Sequence, residues 1–220
     1  MQAVEYIDAN IPYLKANDTV QFALDIMAGN NLTEMPVLKG RKYIGTISED
    51  VLLNIENAAI KVGALPLDNN IIFTYSTEHI FELIKKMIET QMFLMPIIDL
   101  EEHYIGVATA ASILTKFGNS SSLMESGGML VLQMNKSDYS LSEIARIVES
   151  NDALILNCYI SSQVDINQIE VTLKINKSDL EDIIASFERY EYNVKAAYHQ
   201  SSNADDMLEK YESLMHYLNM

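Results

Sequence analysis

Met35-Pro36-Val37-Leu38, followed by Tyr43-Ile44-Gly45 and the hydroxyl residue Ser48, decides the fold, because the chain writes it twice. Sixty residues on stand Met95-Pro96-Ile97-Ile98, then Tyr104-Ile105-Gly106 and Thr109. Working outward, each copy is preceded by an apolar helix pattern that runs to a methionine, Met27 or Met87. Two like units that cannot each bury their own apolar face pack against one another, and such packing leaves a cleft for a small ligand where they meet.

Each copy reads as strand, helix, two strands, helix. In the first, Tyr13-Leu14 is a short strand and Asp18-Thr19 starts a helix with Val20, Ala23, Leu24 and Met27 on one face, ended by Gly29-Asn30-Asn31. Met35 to Leu38 and Tyr43 to Ile47 are strands around the Lys39-Gly40-Arg41-Lys42 turn, and Ser48 opens a second helix. The second copy places strands at Ile72 to Thr74, Leu94 to Ile98 and Tyr104 to Ala108, with helices at Ile80 to Ile88 and Thr109 to Phe117. Pro66 and Asn69-Asn70 connect the two. The repeats thus cover about 11–57 and 72–117 of a first domain, 1–118.

Gly118-Asn119-Ser120-Ser121-Ser122, closing at Gly127-Gly128, is polar and glycine-bearing and marks a boundary. Beyond it, strands at Met129 to Met134, Ala153 to Ile160, Ile169 to Ile175 and Val194 to Tyr198 alternate with two helices. Ser140-Leu141-Ser142-Glu143 and Ser178-Asp179-Leu180-Glu181 fit capping boxes at the helix starts. The order βαββαβ predicts a ferredoxin-like domain over 128–199. In the last stretch, 203–220, Met207, Tyr211, Leu214 and Leu218 form a helical seam that suits either a tail packed on its own domain or a helix pairing with another chain.

The 220 residues, 49% hydrophobic and 21% charged, suffice for one or two buried cores. Net charge is −16, with 31 acidic against 15 basic residues, and the acids are spread along the chain. So negative a surface repels phosphate backbones and anionic lipid, which argues against nucleic acid or membrane partners. No apolar run approaches the roughly 20 residues of a membrane helix, and the first residues carry no export signal. A single cysteine, Cys158, excludes an internal disulfide framework and points to the cytoplasm.

The hydrophobic-Pro-hydrophobic strand, the strand ending in glycine with a hydroxyl three residues on, and their duplication resemble the CBS domain pair, or Bateman module. The βαββαβ half is similar to an ACT domain, and the order of the two resembles the CBS–ACT regulatory proteins of the acetoin-utilisation type. The resemblance implies an α+β fold and an adenine nucleotide (AMP, ADP or ATP) as a regulatory ligand between the repeats. Purine would lie against the strand before the proline and phosphate at the hydroxyl-capped helix. Carried over, the ligand contacts are Met35, Pro36, Ser48 and Asp50 in one copy and Tyr75, Met95, Pro96, Ile97, Thr109 and Ser112 in the other.

The copies differ. Glu49 and Asp50 follow Ser48 and already neutralise that helix start, whereas Ala110, Ala111 and Ser112 follow Thr109, so an anion is expected on the Thr109 side. Six residues after the glycine, where the family holds a ribose with aspartate, this chain has Val51 and Ser112. The loop Lys136-Ser137-Asp138-Tyr139-Ser140 lacks the glycine that lets ACT backbones approach an amino acid, so pairing of subunits is the role expected of that half.

Plainer readings stand beside these. Ser48 and Thr109 as simple caps would be worth about 1 kcal/mol each. Met27, Met35, Met87, Met92 and Met95 suit core filler, and Pro36 and Pro96 suit protection of short edge strands. Cys158 reads as a small buried hydrophobe, and Asp18, Glu34 and Asp99 as solvated surface. His79, His103, His199 and His216 are scattered and give no metal pattern. No activated nucleophile or phosphate-cradling loop is present, so the chain is read as no enzyme. The expectation is a cytoplasmic homodimeric sensor acting on a regulated protein, the alternative being an interaction protein whose clefts have lapsed.

Overall fold

A computed structural model describes residues 1–67, 71–120, 122–163, 165–198 and 215. The helix expected over 203–220 lies outside the described residues, as do His199 and His216. The chain divides into two compact units, Met1–Gly118 and Asn119–Met220.

In the first unit, β1 (Leu14–Lys15), α1 (Val20–Asn30), β2 (Glu34–Lys39), β3 (Lys42–Ser48) and α2 (Glu49–Leu53) form one repeat. The second is β4 (Thr74–Tyr75), α3 (Ile80–Thr90), β5 (Leu94–Ile98), β6 (Tyr104–Thr109) and α4 (Ala110–Ser120). Each folds as a three-stranded sheet, β1-β2-β3 or β4-β5-β6, whose leading strand is parallel to the middle one. The register repeats with the sequence: Leu14 faces Val37 and Thr74 faces Ile97. The offset slips by one in the hairpins, where Leu38 faces Tyr43 but Ile98 faces Tyr104.

Thr19 caps α1 by accepting from Phe22 N–H at 3.2 Å. Val20, Ala23 and Met27 then turn inward onto Leu14, Met35 and Val37, and the same positions in the second repeat bury Ile80, Leu83 and Met87 on Met95 and Ile97. The buried methionines are core residues, as their spacing predicts; Met92 is half-buried. A third cluster joins Leu38, Tyr43 and Ile98, with Phe73, Tyr75 and Tyr104 packed on it.

Pro36 and Pro96 correct an expectation. They lie in the middle strands, not edge strands. The physical reason they are tolerated is that β1 and β4 reach only Val37–Leu38 and Ile97–Ile98, so the first halves of β2 and β5 have one strand neighbour instead of two. Ser48 makes no side-chain capping bond to α2.

The N-terminal ten residues, on which the sequence pattern is silent, belong to the second repeat. Ala3 and Val4 N–H groups donate to the Glu78 and Ser76 carbonyls (2.8 and 3.1 Å), and Ala3 and Tyr6 are buried among Ile80, Leu83 and Ala108. Lys116 Nζ donates to the Glu5 and Ile7 carbonyls.

The second unit is β7 (Gly128–Asn135), α5 (Leu141–Glu149), β8 (Ile155–Gln163), β9 (Gln168–Ile175), α6 (Glu181–Arg189) and β10 (Asn193–Tyr198). Its antiparallel sheet, ordered β10-β7-β9-β8, is ferredoxin-like. Ile169, Val171, Leu173 and Ile175 are buried beneath the helices. Ser140 caps α5 by accepting from Glu143 N–H at 3.4 Å. The second capping box does not form: α6 begins at Glu181 after Leu180, which is fully buried, and Asp179 accepts from Glu181 N–H instead. Burial of Leu180 explains Gly128, where a Cβ would stand 2.5 Å from the leucine Cδ1; a Cβ at Gly127 would meet the Ile175 carbonyl. Cys158 is half-buried against this core, and burial pushes its thiol pKa up.

Candidate functional site

A cavity of about 300 Å³ opens in the first unit between the repeats, where the uncovered halves of β2 and β5 meet the start of α4. Asp8 and Ile11 enter it from the N-terminal segment, Thr33 and Glu34 from the start of β2, Phe93 and Leu94 from the start of β5, and Thr109 from the head of α4.

The helix start is built reciprocally. Thr109 Oγ1 accepts from Ser112 N–H and Ser112 Oγ accepts from Thr109 N–H, both at 3.0 Å, and Ser112 Oγ donates to the Tyr6 carbonyl at 2.8 Å. The Ala110 N–H is taken by the Phe93 carbonyl (3.0 Å), as Glu49 N–H is taken by Thr33 in the other repeat (2.8 Å). Thr109 Oγ1 donates to Asp8 Oδ2 at 3.4 Å. The expectation that this helix start faces no acid is therefore corrected: a carboxylate arrives from a hundred residues away, and only folding of the N-terminal segment onto β6 puts it there.

Glu34 is the second correction. Far from solvated surface, it is half-buried, and its Oε1 accepts from Phe93 and Leu94 N–H at 3.2 and 3.0 Å, holding the backbone of β5 where that strand lacks a second neighbour. Asp18 and Asp99 hold local backbone, accepting from Lys15 N–H at 2.7 Å and from Glu101 and His103 N–H at 3.0 and 2.7 Å.

A model of the CBS domain matches residues 3–56 and 62–119, just over half of the chain. The chain belongs to the CBS-domain family. Its fold is similar to that of a CBS domain pair/ACT domain protein from Thermotoga maritima, at 17% identity over 55% of this chain and 98% of that one, with a TM-score of 0.50. CBSX2 in complex with AMP matches at 17% identity, 54% and 97% coverage and a TM-score of 0.48. The CBS domains of a transcriptional regulator from Streptococcus pneumoniae match at 14% identity, 52% and 98% coverage and a TM-score of 0.48.

Of the residues singled out from sequence, the CBS pair brings Thr109 into this cleft, next to Asp8, Thr33 and Glu34, which pattern alone did not select. Ser112 sits behind Thr109 as its cap. Met35, Met95 and Ile97 are fully buried in the repeat cores, and Pro36 and Pro96 are buried beside them. Tyr75 packs edge-on against Phe73, 5.4 Å between centroids, in the cluster between the hairpins. Ser48 and the exposed Asp50 head the five-residue helix of the first CBS repeat, outside this cleft. Among the described residues no three potential ligands gather as a metal site, and no helix is long and apolar enough to cross a membrane.

Proposed function

We propose that the CBS pair is the sensing half of a non-catalytic, cytoplasmic regulatory protein of the acetoin-utilisation CBS–ACT type, and that an adenine nucleotide or related adenosine compound binds in the cleft at Thr109. The observation that carries this is the cleft itself: half-paired strands, a helix start and polar side chains from both repeats converge on one cavity of about 300 Å³. A ligand touching both repeats favours whichever relative arrangement it fits better, and a preference of about 1–3 kcal/mol is enough to alter a partner's affinity several-fold or more.

The same reading makes the protein a homodimer. Ile88, Phe93 and Leu114 stand 71%, 75% and 77% exposed around an apolar groove of about 690 Å³ between α3 and α4. The first repeat has Ala28 and Thr33 where the second has Ile88 and Phe93, so the fold by itself does not require those side chains. An exposed apolar patch of this kind suits self-association of a chain whose net charge otherwise drives copies apart. The ACT-like half contributes to pairing through sheet edges or helix faces.

Calorimetry or thermal-shift titration of the full chain with AMP, ADP, ATP and S-adenosyl compounds tests the sensor. A saturable response is expected; no response at millimolar ligand overturns it and leaves the second reading, an interaction protein with a lapsed cleft. The full burial of Met95 and Ile97 and the engagement of Ser112 with Tyr6 favour that alternative.

A further inference from the structure

The two CBS repeats differ on the face formed by their helices. In the second, Ile84, Ile88, Phe93, Ala110, Leu114 and Phe117 are among the residues around the α3–α4 groove, and no ionisable side chain is among the described residues that line it. At the equivalent positions the first repeat has Leu24, Ala28, Thr33, Glu49, Leu53 and Glu56. Ile88 and Phe93 thus answer to smaller residues and Ala110 and Phe117 to carboxylates, while Leu114 answers to another leucine. The exposed Phe81 ring meets Phe117 edge-on, 6.3 Å between centroids, and lengthens the apolar patch; the first repeat has Gln21 there.

Charge decides what such a patch can meet. A second copy carries the same net −16 and approaches only where charge is balanced or absent. α3 and α4 carry Glu82 and Glu89 against Lys85, Lys86 and Lys116, whereas α1 and α2 carry Asp25, Glu49 and Asp50 and no base. Two first repeats face to face would bring those acids together. A groove laid on a partner's first repeat would bury Glu49 and Glu56 against an apolar wall that holds no base, and an unpaired carboxylate is costly to desolvate. Two grooves laid on each other bury apolar surface on apolar surface and leave every one of those acids in water.

Resting on the homodimer reading above, we propose that copies pair second repeat to second repeat. The α3–α4 groove of one copy sits on the same groove of the other about a twofold axis, and both first repeats stay outside the contact. Phe93 and Ala110 line this groove and the cleft at Thr109 alike, so the seated copy lies against residues that also wall the cleft.

Leu53 and Leu114 form a matched pair for the test, being the same residue at equivalent positions and both exposed. In the full chain carrying Cys158→Ser, Leu114→Cys and Leu53→Cys are treated with a short bismaleimide, each alone and the two mixed after subunit exchange. Leu114→Cys copies are expected to join to one another, and Leu53→Cys copies to join neither to themselves nor to Leu114→Cys copies. In sedimentation velocity, Leu114→Asp should weaken the dimer about tenfold or more and Leu53→Asp less than about threefold. Joining through Leu53 in either arm, equal weakening by the two aspartates, or a dimer that Leu114→Asp leaves intact overturns the inference while the homodimer reading stands. A wild-type chain that sediments as a monomer at every concentration overturns both. The cysteine arms keep the patch uncharged, so misfolding of an aspartate variant does not shield the proposal.

Discussion

Tyr6→Ala tests whether the N-terminal segment is a structural part of the second CBS repeat. Tyr6 is 3% exposed and packs among Ile80, Leu83, Met95 and Ala108. Truncating a buried aromatic to alanine costs about 3–5 kcal/mol; an entry near the chain terminus, where the backbone can relax, puts the expected loss near the lower figure, about 3 kcal/mol. For a unit of 118 residues, an unfolding entropy of about 2.1 cal/mol/K per residue converts this to a fall of about 12 °C in its melting temperature. The backbone carbonyl that Ser112 bonds survives the substitution, so the loss reports side-chain burial and not the cap. Hydrogen exchange by mass spectrometry supplies the location: protection should fall first in α3, β5 and β6 and later in β2 and β3. Val4→Ala, at a position 41% exposed, is the control and should change stability by less than about 0.5 kcal/mol. A Tyr6→Ala protein within about 1 kcal/mol of wild type, or one whose exchange rises first in β2 and β3, would refute the assignment of this segment to the second repeat.

Two further outcomes follow from particular contacts. Burial raises the Glu78 carboxyl pKa, but bonds from Lys86 (2.7 and 2.9 Å) and Thr74 (2.7 Å) outweigh it and hold the pKa below the ordinary 4.5. A depressed carboxyl stabilises the fold above its unfolded pKa and loses that contribution as pH falls through the folded value. Lys86→Met should therefore cost about 1–2 kcal/mol at neutral pH in urea unfolding, and the deficit should shrink as pH drops below 4.5; a deficit that is constant with pH contradicts it. Leu114→Asp places a charge at the 77% exposed rim of the α3–α4 groove, so light scattering should show monomers with an unchanged melting unit if that groove joins two copies, whereas an intact dimer removes the groove from the interface.

Much of the architecture is legible because it is local and repeated. The sixty-residue offset between Met35-Pro36 and Met95-Pro96 reappears in the strand registers, and the single slip between them is the one extra residue of the second hairpin. Period-two burial in β7 and the apolar faces of α1 and α3 are likewise written within single elements, whereas in β9 Glu170 and Thr172 are buried along with the apolar face. Ser178-Asp179-Leu180-Glu181 misleads for an instructive reason: the capping pattern is intact, but its third residue is a leucine whose burial against β7 outweighs one more turn of helix. The site residues fail differently. Among 31 acids the expectation that any one is solvated is sound on average, yet it is blind to Glu34 standing where a proline-bearing strand half lacks a neighbour.

The two CBS repeats are alike in backbone and unequal in use, and the inequality comes from what each is given to complete it. Only the second receives the N-terminal segment, through Ala3, Tyr6 and Asp8, and only it extends its last helix to eleven residues against five. The head of α4 gains a reciprocal Thr109–Ser112 cap and, with it, a carboxylate; the head of α2 keeps its own Glu49 and Asp50 and a serine that makes no capping bond. Both helix starts thus end up beside acid, by different routes, one within the helix and one across the fold. The carboxylate beside Thr109 comes from the N-terminal segment, outside the repeated motif, which is why the helix start that Ala110, Ala111 and Ser112 leave open in the sequence meets Asp8 in the folded chain.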